Sequence, residues 1–204
     1  MTDLVLVRHG QTVWHAENRY AGVSDVALTP HGEQQAAQLA AWARTARLAA
    51  VWSSPLSRAR RTAEACAADV PLEVDARLRE LDFGDGEGLT SAEMTERFPG
   101  ARAAFLADPV AHHLPGGEDP VAAAKRFTEC LHEIAGKCPD GRVLVVAHSS
   151  AIRLALCALI GVPLTEYRRL FPTLRNCALT EVRLRAGRVA LLQFNTPPLV
   201  PRSC

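Results

Sequence analysis

Aromatic residues make up only 5% of this 204-residue chain, too few for the stacking platforms that hold single-stranded nucleic acid. Long apolar runs are missing as well, and nothing approaches the roughly 18 residues of a membrane span. Neither sign of charge is in excess: 23 lysines and arginines face 22 aspartates and glutamates for a net +1, so no overall field draws the chain to nucleic acid or anionic lipid. Any positive charge that matters is local. Six cysteines (Cys66, Cys130, Cys138, Cys157, Cys177 and Cys204) include no C-x-x-C pair, a pattern of buried thiols in a reducing compartment rather than of a disulfide framework. The phosphate loop G-x-x-x-x-G-K-[ST], a G-x-G-x-x-G after the first strand and the zinc helix H-E-x-x-H are all absent. That argues against nucleoside triphosphates, dinucleotide cofactors and zinc, so no metal and no cofactor are expected.

What is present is an ordinary globular composition, 48% hydrophobic and 22% charged. The length favours one domain over residues 1–204, and no internal repeat, low-complexity stretch or linker divides it. The opening MTDLVLVRHG puts Arg8 and His9 where a signal peptide requires apolar residues, so a cytoplasmic protein is expected, as a monomer or homodimer.

Leu4-Val5-Leu6-Val7 is an apolar run suited to a strand buried on both faces. Thr29-Pro30 supplies a cap followed by proline at the first helical position, and residues 34–44 continue as helix formers. Ala50-Val51-Trp52 reads as a second strand, after which Ser54-Pro55 repeats the cap signal and predicts a helix to about residue 68. Leu72-Glu73-Val74 is a weaker strand candidate; Thr90-Ser91-Ala92-Glu93 is a capping box opening a short helix, and Asp119-Pro120 opens another to about residue 135. Residues 142–147 form an apolar strand, residues 151–160 a helix that stops at Gly161, and 178–184 with 189–194 a hairpin around Arg185-Ala186-Gly187-Arg188. Alternating strands and helices imply an α/β fold: a three-layer α/β/α sandwich with a mostly parallel central sheet and an antiparallel C-terminal edge. The stretch from about 106 to 118 reads as a long irregular loop, with His112, His113 and Pro115-Gly116-Gly117.

In parallel sheets ligands bind beyond the carboxyl ends of the strands. Arg8-His9-Gly10 follows the first strand and His148-Ser149-Ser150 follows the strand at 142–147, so both histidines should emerge at the same end of the sheet. Gly10 and Thr12 surround the first, and the second is followed by Ser149, Ser150 and a new helix N-terminus, which is a setting for an anion. Arg58 falls in the first turn of its helix, where a cation opposes the helix dipole by about 0.3–1 kcal/mol unless an anion compensates it. Two arginines, two histidines and helix N-termini around one crevice describe a site for phosphate, since arginine contacts phosphate oxygens in bidentate fashion.

The run Leu4-Val5-Leu6-Val7-Arg8-His9-Gly10-Gln11-Thr12 resembles the signature of the histidine phosphatase superfamily, which includes the cofactor-dependent phosphoglycerate mutases. Glu17 to Gly22, Leu28 to Ala36, Ser53 to Ala59, Arg79-Glu80-Leu81-Asp82-Phe83-Gly84, Glu87-Gly88, Pro115 to Glu118 and Val146-Ala147-His148 follow in the family's order, so the likeness covers nearly the whole chain. The resemblance implies His9 as nucleophile, Arg8 and Arg58 as phosphate ligands, a protonated His148 as a second phosphate contact, and Glu80 as proton donor. Asp82, two residues on, would face the same side as Glu80 if that segment were extended. Two departures stand out: His15 replaces the asparagine of many members, so it either contacts phosphate or caps a loop, and Ser149-Ser150 replaces a glycine pair, leaving the Ser149 N–H to bind an oxygen.

The expected activity is hydrolysis of a small phosphorylated metabolite through a phosphohistidine. The alternatives are a phosphoglycerate mutase and a catalytically weak module that binds a phosphorylated ligand. A substrate-covering insertion is expected at about 91–118, in which His112, His113, Arg97 and Arg102 are candidates to read a second anionic group. Those two arginines fit a solvated helix face better.

Overall fold

The computed structural model of the chain describes residues 1–185 and 187–199; Cys204 and Ala186 of the expected hairpin turn lie outside them. In chain order the elements are β1 (Thr2–Arg8), α1 (Pro30–Ala43), β2 (Ala50–Ser53), α2 (Ser57–Glu64), β3 (Leu72–Val74), α3 (Ser91–Arg97), α4 (Pro99–Ala107), α5 (Pro120–Lys137), β4 (Arg142–Ala147), α6 (Ser149–Ile160), α7 (Tyr167–Leu170), β5 (Leu179–Arg185) and β6 (Arg188–Thr196). The strands form one sheet in the order β3-β2-β4-β1-β5-β6. The first four are mutually parallel, and β5 and β6 add the antiparallel edge. The expected mostly parallel three-layer sandwich is the observed one.

The central strands alternate their buried side chains between two cores, as a period of two requires. Val5 and Val7 of β1, Val51 of β2 and Leu144 and Val146 of β4 pack with α1 and α2. Leu4, Leu6, Trp52, Val143 and Val145 face the other way, onto α5 and α6, with Met94 of α3, Phe105 of α4 and Tyr167 of α7 extending that core. Helices therefore cover both faces.

The cap signals hold where the side chain is free to act locally. Thr29 accepts from Gly32 N–H, Asp119 accepts from Val121 N–H, and Thr90 with Glu93 forms the expected capping box. Ser54 is a correction: α2 starts at Ser57, is capped by no side chain and ends at Glu64. The Ser54 hydroxyl lies 2.8 Å from His148 Nε2 and accepts weakly from Leu56 N–H, so the site claims it. The loop expected from 106 is shorter than the sequence suggested, because Pro99 opens α4, which runs to Ala107.

Candidate active site

Register brings the site together. β1 and β4 are adjacent and parallel with Arg8 opposite Ala147, so the next residues, His9 and His148, leave the same end of the sheet side by side. The His9 N–H donates to the Ala147 carbonyl at 3.1 Å, and the two imidazole centroids are 5.1 Å apart. Gly10 is required next: a Cβ there would lie 2.5 Å from the Gly32 carbonyl oxygen, and one on Gly32 would lie 2.1 Å from that of Gln11. These glycines let the turn after β1 rest directly on the start of α1.

His9 is buried, and its Nδ1 is 2.7 Å from the Gly10 carbonyl. A carbonyl only accepts, so the proton is on Nδ1 and Nε2 carries the free lone pair. Arg58 Nε–H donates to that Nε2 at 3.2 Å. The rest of the Arg58 guanidinium donates to the carbonyls of Ser24, Ala21 and Gly22, which turns the fork so that its Nε edge meets His9. Burial, then the charges of Arg58 and Arg8, hold His9 well below the ordinary imidazole range, so it is a neutral base. His148 is fully buried and held down by burial and by Arg58. Its Nδ1 is buried with no partner among the described residues.

A cavity of about 470 Å³ opens over this pair, and Arg8, His9, Thr12, His15, Glu80 and Ser149 are on its wall. Arg58 and His148 are not; they reach His9 from inside the protein. Arg8 donates to the Leu174 carbonyl and lies 2.7 Å from His15 Nε2, and burial lowers it only to about 10, so it remains a cation. On the other side of the His15 ring, Nδ1 accepts the Thr12 N–H at 3.0 Å. His15 closes a capping box with Thr12, the loop-capping role expected of it, and its ring also lies on the cavity wall. Two N–H donors converge on an imidazole with one acceptor nitrogen. Burial and then the Arg8 charge hold His15 down at about 4.

Glu80 is buried at the N-terminus of α6, where Oε1 accepts from Leu81 and Ala151 N–H and Oε2 from Ser150 N–H. Oε1 accepts two of these main-chain bonds and Oε2 one. The segment around Glu80 is irregular rather than extended, and Asp82 does not share its side: its carboxylate caps the Gly84 N–H of its own turn. The first turn of α6 leaves the Ser149 N–H without an acceptor among the described residues.

Several residues important to the geometry carried no signal of their own. Asn176 donates to the His9 carbonyl at 2.7 Å. Glu87 gathers the N–H groups of Gly22, Val23 and Ser24, shaping the loop whose carbonyls hold Arg58. Arg126 pairs with Glu118 and donates to the carbonyls of Arg77, Arg79 and Glu80, which fixes the backbone carrying Glu80. Only the Glu118 and Glu87 motifs were visible, without their roles. Arg102, expected on a solvated face, is buried on the cavity wall, whereas Arg97, His112 and His113 are exposed and off that wall.

A model of the histidine phosphatase superfamily (branch 1) matches residues 4–197. A protein of Citrobacter koseri named probable phosphoglycerate mutase GpmB is 38% identical over 186 residues, covering 89% of this chain and 85% of its own. Among solved structures, Bacillus stearothermophilus YhfR superposes with a TM-score of 0.91 at 29% identity, over 96% of this chain and 98% of that one. A mycobacterial glucosyl-3-phosphoglycerate phosphatase in complex with VO3 superposes with a TM-score of 0.87 at 32% identity, over 95% and 98% of the two chains. With the motifs in order from Arg8 to His148 and the fold matched almost end to end, this chain belongs to the histidine phosphatase superfamily.

Proposed function

We propose that this protein hydrolyses a small phosphomonoester by way of a phosphohistidine on His9. The observation that carries the reading is the Nδ1–H bond of His9 to the Gly10 carbonyl, which leaves a neutral Nε2 lone pair facing a cation-lined cavity. In the first step Nε2 attacks phosphorus in line, the bond to the ester oxygen breaks, and Glu80 Oε2 gives its proton to the departing alkoxide. Arg8 and Arg58 bind the equatorial oxygens, with the Ser149 N–H at the start of α6 and Thr12 on the cavity wall. Arg58 then trades its bond to the bare ring nitrogen for one to the phosphoryl group. Arg8 trades its mismatched contact with His15 for a phosphate oxygen. The arriving dianion favours a proton on His148. In the second step water attacks phosphorus, Glu80 takes the water's proton, and the N–P bond breaks to return neutral His9 and inorganic phosphate.

The buried His9 pair argues for a cation where a metal ion would sit, because Arg58 Nε–H already faces Nε2. Chelators are accordingly expected to leave turnover unchanged. Segments α3 and α4 supply Ser91 and Arg102 to the wall, which supports the reading of residues 91–118 as a substrate cover. The five described cysteines are all free, in keeping with a cytoplasmic protein. The decisive experiment incubates the protein with a labelled phosphomonoester and quenches it. An acid-labile, base-stable phosphoenzyme is expected in wild type and none in His9→Ala; an acid-stable label would move the nucleophile to a hydroxyl. A mutase, the reading suggested by the name of the Citrobacter relative, would return the phosphoryl group to a second hydroxyl, so release of inorganic phosphate at the rate of ester consumption separates the two.

A further inference from the structure

Away from His9 the cavity has a second cationic wall that the hydrolytic steps do not use. Arg102 of α4, Arg153 of α6 and Arg168 of α7 all line it. They are held together by aromatic rings. The Arg102 and Arg168 guanidinium carbons lie 5.4 and 4.5 Å from the Phe105 ring centroid, and those of Arg168 and Arg153 lie 5.4 and 5.2 Å from that of Tyr167. Rings orient guanidinium planes, yet they carry no charge that neutralises three neighbouring cations.

Nor do the described residues pair Arg102, Arg153 or Arg168 with a carboxylate. Among the described residues, Arg19 is the one arginine on this wall that makes an ion pair, to Glu17 and Glu93. Arg102 is only 3% exposed, and its acceptors are two neutral hydroxyls, Tyr20 at 3.1 Å and Ser91 at 2.9 Å. Its Nε–H is buried with no partner among the described residues. A buried cation with an orphan donor beside an open cavity is costly unless something anionic visits it. The same wall is continuous with the reaction centre, since Arg153 is near enough to Arg8 for the two charges to oppose each other.

We propose that Arg102, Arg153 and Arg168 form a second anion subsite, so that the substrate carries, on its leaving group, a carboxylate or a second phosphate in addition to the phosphate that His9 attacks. The inference rests on the reading of His9 as the phosphoryl acceptor. Guanidinium forks bind either oxyanion, so the chemistry shared by the two is what the subsite selects.

The test compares kcat/KM for 3-phosphoglycerate, its methyl ester and 1,3-propanediol bisphosphate, with p-nitrophenyl phosphate as a tail-free reference. At least one charged-tail substrate is expected to exceed the methyl ester about tenfold in wild type, and which one does so tells carboxylate from phosphate. Arg168→Gln and Arg102→Gln should each bring that ratio towards one, through KM more than through kcat. Arg168 is only half-buried, so its variant keeps the test valid if Arg102→Gln fails to fold. Binding of the matching non-hydrolysable phosphonates, acid against methyl ester, is measured by calorimetry in parallel. Equal kcat/KM for charged and neutral tails, or a ratio that neither substitution moves, overturns the subsite while leaving hydrolysis at His9 intact. Failure to turn over any of the four esters, with the phosphonate acid still binding tenfold tighter than its ester in wild type alone, retires the hydrolytic reading and keeps the subsite.

Discussion

Beside His9, Arg58 gives its terminal nitrogens to three main-chain carbonyls and Arg8 gives one donor to a fourth, whereas Arg102 and Arg168 on the far wall lie against aromatic rings and bond only hydroxyls. The difference follows from where each comes in the fold. The inner pair is attached to β1 and the start of α2, and loops crossing the sheet end bring carbonyls within reach. Carbonyl bonds are directional, so these forks are fixed to within a hydrogen bond's tolerance, which suits groups that must meet charge developing on a reacting phosphoryl. Arg102 and Arg168 come from the shorter helices α4 and α7. Cation–ring contacts are broad in angle and contribute about 0.5–2 kcal/mol, so they gather charge without prescribing a single geometry. Chemistry at the inner half and recognition at the outer half is the division of labour these two modes suit.

The sharpest break is His9→Ala, which removes the imidazole nitrogen proposed to attack phosphorus. Its kcat for an aryl phosphate is expected to fall about ten-thousandfold or more, measured in a variant whose circular dichroism is unchanged. Arg58→Ala comes next. It should lower kcat/KM by about a hundredfold to a thousandfold with losses in both kcat and KM, since the cation meets phosphate in ground and transition states alike. A loss in KM alone would place Arg58 with the outer arginines and dissolve the contrast.

Glu80→Gln sharpens the inner half further. An aryl phosphate leaves as a stable phenolate, while an alkyl phosphate leaves as a basic alkoxide that needs a proton. Single-turnover phosphorylation of the enzyme should therefore slow by about a hundredfold or more with an alkyl ester and far less with an aryl ester. Asp82→Asn, whose carboxylate only caps its own turn, should leave that leaving-group dependence in place. The reverse pattern would make Asp82 the donor.

The smallest effect expected is one of pH. The folded value of His15 is about 4, below the roughly 6.5 of an exposed imidazole. The unfolded chain then takes up the proton first, so stability is level above about pH 6.5 and is lost as pH falls from there towards 4. His9 and His148, also lowered, act in the same direction. His15→Asn removes one of the three contributions, and the drop in Tm between pH 7 and pH 5 is expected to shrink by roughly 2–4 °C. An unchanged drop would mean that the Arg8–His15 contact does not oppose protonation.

The short-range features of this protein were legible because they depend on neighbours in the chain. Apolar runs marked β1 and β4, threonine and aspartate caps marked α1, α3 and α5, and a positive φ at Gly161 closes α6 where the sequence placed its end. The position of polar residues directly after β1 and β4 was enough to bring His9 and His148 to one sheet end. The order of motifs identified the family over almost the whole chain.

What depended on residues far apart in sequence could be decided only by the tertiary structure. Ser54 carries a cap signal, but His148, 94 residues away, engages its hydroxyl, so the helix begins later. The side chains of Glu80 and Asp82 differ in use because Glu80 meets the N-terminus of α6, a partner that no local pattern announces. The proton affinity of His148 is lowered because β4 ends deep among other elements, where burial and then the Arg58 charge disfavour the charged imidazole. Arg102 illustrates the limit best: alone in its helix it reads as a solvated cation, yet it is buried, with Tyr20 and Ser91 from outside α4 accepting its hydrogen bonds beside Phe105 of its own helix. Local chemistry writes strands, caps and motifs, while burial and long-range contacts set protonation and charge, since both depend on which distant groups replace water around a side chain.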